Sequence, residues 1–357
     1  MSYLFYLGDY TDQKSNVDAP EAEGIYSFSL SDQGRIDEAP RLLVKTMSPS
    51  YFAQSADRRF LYTVEEPTTG AKGAYSVYEC QPDHSLKRVS MQTAPGDGLC
   101  HISLSPDRKF ILGICYMDGT VQVLPLSEDG ELSPLSCLIR HIGSGPNKAR
   151  QSQAHTHSTT FTPDGGYAIV CDLGMDMLAA YRLTEKGQLQ EDEGHSFHLP
   201  GGCGPRHMVF SPDGKFAYVA CELSSEVMEL SYDTDKGFAL LGIVKTVPET
   251  FTREPNYPAA IRITKDGRHL YVSNRGEDSI SLFYVDKETG LLTRVENVPT
   301  MGRYPRDFIL TRDEKFVLAP NQESGNLTAF CRDEKTGKLT RTDTRIMVKK
   351  PICLIEA

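Results

Sequence analysis

The chain has 357 residues, with 38 Lys and Arg against 48 Asp and Glu, for a formal net charge of −10. It has no clustered basic surface of the kind that displaces counterions from a phosphate backbone, so nucleic acid is not expected as a partner. About 39% apolar residues with 29 Gly and 21 Pro fit a globular, turn-rich protein, and a small anionic ligand stays open because a few arginines in one pocket outweigh a distant average charge.

The N-terminal stretch MSYLFYLGDYTD has an apolar run that Gly8 and Asp9 end, too short for a secretory signal. Nothing further along approaches the roughly 18 apolar residues of a membrane span. No membrane association and a cytoplasmic location are expected. The nine cysteines lie between Cys80 and Cys353 without a Cys-x-x-Cys pair, and read as free thiols in a reducing compartment.

From residue 47 one phrase recurs six times. A degenerate copy, MSPSYFAQSADRRFLYTVEE, precedes GLCHISLSPDRKFILGICYMDGTVQVLPL and HTHSTTFTPDGGYAIVCDLGMDMLAAYRL. Then come GPRHMVFSPDGKFAYVACELSSEVMELSY, YPAAIRITKDGRHLYVSNRGEDSISLFYV and YPRDFILTRDEKFVLAPNQESGNLTAFCR. The turn aspartates fall at 57, 107, 164, 213, 266 and 313, a period of 47 to 57 residues. Each copy predicts an alternating strand, a Pro-Asp-Gly-type turn, a second strand, a polar turn and a third strand, with a fourth in the spacer. That period, built from short strands, predicts a β-propeller with one blade per copy and almost no helix.

The two ends complete the set. The tail PICLIEA reads as a first strand, LFYLGDY as a second and GIYSFSL as a third. The expectation is an all-β, seven-bladed propeller of four-stranded antiparallel blades over residues 1–357, one domain, its last blade closed by strands from both termini.

Counting outward from each turn locates the residues that differ between copies. If Ser211 faces Phe216, Arg206 falls opposite Cys221 and Pro205 opposite Glu222. The same count sets His157 opposite Asp172, with His155 two residues further out, Arg275 opposite Pro258 and Arg306 opposite Asn321. A bulge shifts such a pair by one residue but not to the other end. His155, His157, Asp172, Arg206, His207, Glu222, Arg275, Arg306 and Asn321 are therefore expected at one mouth of the central channel, where loops from several blades converge.

These groups offer guanidinium donors for a carboxylate, phosphate or oxyanion, and carboxylate or imidazole acceptors for a water proton. Each of these groups also has a plainer structural role open to it. His155, His157 and Asp172 can ligate a metal, Arg206 and Arg275 can pair with Glu222 or Asp278, and Glu222 can be a strand-end surface carboxylate. GSGPN (143–147) and GGCGP (201–205) read as tight turns. With no nucleophile elbow and no nucleotide- or flavin-binding fingerprint, hydrolysis or proton transfer on a small anionic molecule uses the groups best.

The segments GSGPNKARQSQAHTHSTTFTPDGGYAIVCDLGMD, GPRHMVFSPDGKFAYVACELSSEV, LYVSNRGEDSI and YPRDFILTRDEKFVLAPNQESGNLTAF resemble the bacterial seven-bladed lactonase family. That family contains propeller-type 6-phosphogluconolactonases and is related to fungal carboxy-cis,cis-muconate lactonizing enzymes. LGDYTD, GIYSFSL and LYTVEE resemble its opening motifs. The resemblance covers nearly the whole chain and implies a site with no metal and no cofactor, with His157, Arg206, Glu222 and Arg275 as catalytic residues. His155, His207, Arg306, Asn321 and Asp172 are the expected substrate contacts. One departure is Ile-Cys-Tyr, ending at Tyr116, where many members have Ala-Asn-Tyr.

The expectation is hydrolysis of 6-phosphoglucono-1,5-lactone to 6-phosphogluconate, with Glu222 or His157 as the base, by a monomer or weak homodimer. The alternatives are lactonization of a carboxylated muconate, and a non-catalytic propeller that binds a protein or sugar ligand.

Overall fold

The computed structural model describes residues 2–15, 17–19, 21–36, 39–68, 70–253 and 255–357. Among them there is no helix, and the strands form seven antiparallel sheets. Blade 4 is representative: Pro205–Phe210, Phe216–Cys221, Glu226–Asp233 and Gly237–Lys245 pair in chain order from the axis outward. Blade 3 carries an extra short strand, Phe197–His198, beside Met177–Leu183. Blade 7 closes the ring as expected. Its innermost strand is the C-terminal Pro351–Glu356, followed by Ser2–Asp9, Gly24–Ser31 and Arg41–Lys45.

The middle strands read as continuous apolar runs because both of their faces are covered. In Phe216–Cys221, Ala217 and Val219 pack toward blade 3, while Tyr218 and Ala220 pack toward blade 5. Alternate side chains of a strand point to opposite faces, so one strand serves two junctions. Seven apolar clusters result, one at each blade junction, including the junction between blades 7 and 1 built on Tyr6, Ile25, Leu61 and Tyr78. Tyrosine hydroxyls tie the wedges together: Tyr218 donates to the Gly290 carbonyl at 3.0 Å and Tyr271 to that of Gly337 at 2.6 Å. Apolar burial at about 25 cal/mol per Å² is the main stabilising term of such wedges. No described helix is long and apolar enough to cross a membrane, and the nine cysteines are free thiols.

The hairpin register follows the expected count from the turn inward, then slips at the mouth. Pro205 pairs with Cys221 and His207 with Ala220, leaving Arg206 as an extra residue. Likewise Thr156, not His157, faces Asp172; Tyr257, not Pro258, faces Arg275; and Pro305, not Arg306, bridges to Asn321. The cause is a β-bulge that adds a residue to the innermost strand and re-aims its side chain. Equivalent slips occur beside Ser50, Cys100 and Ile352 in blades 1, 2 and 7.

Candidate active site

The bulges decide which side chains reach the channel mouth. A cavity of about 380 Å³ opens there, lined by the bulge residues Cys100, His157 and Arg306 and by residues at the ends of the second strands: Tyr10, Glu66, Tyr116, Glu222 and Arg275. Arg150 and Tyr304 complete its charged and aromatic wall. The volume is that of a small-molecule site.

Glu222 is the hub. It follows the strand Phe216–Cys221, its backbone N–H donates to the Gly204 carbonyl at 2.7 Å, and its side chain is buried. Oε1 lies 2.6 Å from the Arg150 guanidinium, and Oε2 lies 2.5 Å from Arg275 and 3.2 Å from Arg206. Burial alone would raise its pKa, but Arg275 and Arg206, with His157 and Arg150, hold the carboxyl far below the usual range. Burial, together with Arg275 and Arg306, pushes Arg206 down to about 9, still a cation at neutral pH. Its Nη1 donates to the Ala259 carbonyl at 2.8 Å, which fixes the guanidinium between blades 4 and 5.

Arg150 comes from the loop between blades 2 and 3, where strand register gives no guide. The buried Gln151 pins that loop: Nε2 donates to the Leu173 carbonyl at 2.8 Å and to Asp176 at 2.7 Å, while Oε1 accepts from the Asn147 N–H at 3.0 Å. Arg306 is different. Among the described residues it makes no hydrogen bond or ion pair, and its guanidinium carbon lies 5.6 Å from the Tyr10 ring centroid. Its donors are free to meet a ligand.

His157 is buried, and its Nδ1 has no hydrogen-bond partner among the described residues. Burial, reinforced by Arg206, holds the imidazole well below the usual histidine range, so it is neutral. Beneath it the His207 ring lies 5.4 Å from His157 and 5.5 Å from His101, and Tyr51 lies tilted 4.3 Å from His101. His207 is thus a channel-filling residue below the cavity.

Arg206 stands behind Glu222 and not in the cavity wall, and three further expected contacts also lie outside it. Asp172 Oδ1 accepts from the N–H groups of His155, Gly174 and Met175 at 2.9 to 3.1 Å, and Oδ2 meets His141 Nδ1 at 2.7 Å. That carboxylate caps a turn. Asn321 is buried and donates to the Thr300 and Ala319 carbonyls at 3.3 and 3.4 Å. His155 stacks on Tyr116 at 4.5 Å with Nδ1 2.9 Å from the Tyr116 carbonyl. The side chains of His155, His157 and Asp172 therefore do not converge on one point, and the bulge at 157 is the reason. The glycine-rich turns are also internally satisfied: Gly202 and Gly204 N–H donate to Asp176 at 2.6 and 2.7 Å.

Residues 4–356 match the family model described as Lactonase, 7-bladed beta-propeller. The chain is 38% identical over 302 residues to a 6-phosphogluconolactonase of Bacillus subtilis (strain 168), covering 84% of this chain and 82% of that protein. Its structure superposes on the periplasmic gluconolactonase of Pseudomonas aeruginosa with a TM-score of 0.91 at 30% identity, covering 100% of this chain and 99% of that one. A protein from Lactobacillus plantarum matches with a TM-score of 0.90 at 35% identity, over 100% of both chains.

Proposed function

The chain belongs to the seven-bladed β-propeller lactonase family, and from that premise we propose that it hydrolyses 6-phosphoglucono-1,5-lactone to 6-phosphogluconate at the channel mouth. The observation that carries the reading is local charge. Three guanidiniums (Arg150, Arg275, Arg306) and two carboxylates (Glu66, Glu222) line the cavity, and Arg206 stands behind Glu222, so the mouth is net positive in a chain of net −10. A low-dielectric mouth of that sign concentrates an anionic substrate.

Roles divide by environment. Arg150 and Arg275 are held by Glu222, which Arg206 fixes from behind, before any substrate arrives, so their donors need no reorganisation as negative charge grows on the lactone carbonyl oxygen. Arg306 holds the phosphate, since its donors have no protein acceptor. We infer a cytoplasmic location, which the nine free thiols, suited to a reducing compartment, support.

The test is acid release from the lactone in weak buffer, measured against spontaneous hydrolysis. The expected result is a rate well above background, with a lower KM for the 6-phosphorylated lactone than for glucono-1,5-lactone. A rate equal to background across a panel of sugar lactones, with and without chelator, would overturn the proposal.

A further inference from the structure

Hydrolysis needs a proton acceptor for the attacking water. Of the carboxylates and imidazoles that line the cavity, three side chains qualify: Glu222, His157 and Glu66. Glu222 has both oxygens engaged by guanidiniums, and taking a proton there would break those pairs. His157 is buried among cations that oppose a further positive charge. Neither environment favours protonation.

Glu66 stands in a different setting. It follows the strand Phe60–Glu65 of blade 1 as Glu222 follows its strand in blade 4, with its N–H donating to the Ser48 carbonyl at 2.9 Å. Blades 1 and 4 of a seven-membered ring stand across the channel from each other. The Glu66 side chain is partly exposed to the cavity, and among the described residues its one hydrogen bond is from the Tyr10 hydroxyl to Oε2 at 3.0 Å. Among the described residues it makes no ion pair, and Oε1 carries no hydrogen bond. The other titratable groups that feel its charge are Cys100, Cys115 and Arg306.

We propose that Glu66 is the catalytic base, an inference that rests on the lactonase reading above. The lactone binds with its carbonyl oxygen toward the Arg150 and Arg275 side, leaving the opposite face to a water on Glu66 Oε1. Glu66 takes one water proton as the new C–O bond forms, and the carbonyl electrons move onto the oxygen held by the arginines. When the tetrahedral centre collapses, the bond to the ring oxygen breaks, and that oxygen takes the proton from Glu66 to become a hydroxyl. The product acid then ionises to solvent, and Glu66 is again a carboxylate.

Glu66→Gln keeps the shape and an acceptor for the Tyr10 hydroxyl but removes the base. The expected result is a kcat lowered at least 100-fold, the lower bound for loss of a general base, with KM within about 2-fold of wild type and an unchanged melting temperature. In Glu66→Ala, added formate should restore part of the lost turnover while leaving the wild type unaffected. A Glu66→Gln enzyme with a tenth or more of wild-type kcat, or a Glu66→Ala loss that formate does not touch, overturns the assignment. If the wild type hydrolyses no lactone above background, the failure lies in the lactonase reading and not in Glu66.

Discussion

The two ends of each hairpin are built on opposite rules. At the turn end the same chemistry recurs six times: a Ser or Thr hydroxyl donates to the aspartate two residues on, at 2.5 to 2.8 Å. That hydroxyl also accepts the N–H that opens the next strand, at 2.9 to 3.1 Å. At the mouth end the backbone device recurs, a bulge beside a strand end, but its side chain is Cys100, His157, Arg206 or Arg306 according to the blade. A repeated bond holds the repeated backbone. A varied side chain on a repeated backbone is available for chemistry.

The sharpest way to break that contrast is at Arg206. Arg206→Ala removes one of three cations on Glu222 but leaves Arg150 and Arg275 in place, so the carboxylate is not stranded and the fold survives. A kcat loss of about 10²–10³ is expected, the size of losing one preorganised electrostatic group, because Arg206 fixes the carboxylate that holds Arg150 and Arg275. Steady-state kinetics with a melting curve on the same sample check it. Unchanged kinetics would place the mouth cluster among the structural pairs.

The same contrast explains what was legible in the sequence. The turn spaces its Ser or Thr, Asp and strand-opening residue within five positions, so the period, the blade count and the closure by both termini could all be read directly. The mouth register could not. A bulge is an unpaired insertion with no fixed residue: Gly98 and Gly204 enter it with φ of 70° and 65°, but Ser48, Tyr304 and Lys350 take the same left-handed turn at 43°, 67° and 49°. Only two of those five carry the glycine that would have signalled it. Arg150 was hidden for another reason, because it is positioned by Gln151 within a loop and not by strand pairing. Asp172 and Asn321 sit at the correct end of their hairpins, but pleat alternation turns them into the blade, where backbone groups engage them.

Asp9 sharpens the comparison from the stability side. It stands at the mouth end of the closing blade, fully buried, with the backbone N–H groups of Gly24 and Glu23 as its polar neighbours. Burial outweighs those N–H groups and pushes its pKa up to about 8. A carboxyl raised in the folded state holds its proton more tightly there than in the unfolded chain. Its contribution is therefore full below about pH 4 and declines as pH rises from there toward 8. Asp9→Asn, which cannot ionise, should gain stability over the wild type between pH 5 and pH 8, by about 2 kcal/mol after discounting for water penetration. Melting temperatures at pH 5 and pH 8 read the difference, and a gap that does not widen with pH would show that Asp9 ionises without penalty.

The smallest effect is expected at the turns. The residue after the turn aspartate takes a positive φ in every copy: Gly165, Gly214 and Gly267 at 69° to 73°, but Arg58, Arg108 and Glu314 at 59° to 62°. A side chain there is held in the left-handed region, where only glycine is unstrained. Arg108 suits the test because its side chain is exposed and makes no hydrogen bond among the described residues, with solvent-screened electrostatic contacts to Asp57 and Tyr62. Arg108→Gly relieves the strain and loses those weak contacts, while the freer unfolded chain works against it. The net gain should be about 0.5 kcal/mol, with kinetics identical to wild type. Loss of stability would mean that the Arg108 to Asp57 contact between blades 1 and 2 outweighs the backbone strain, so that even the turn end carries blade-specific side-chain information.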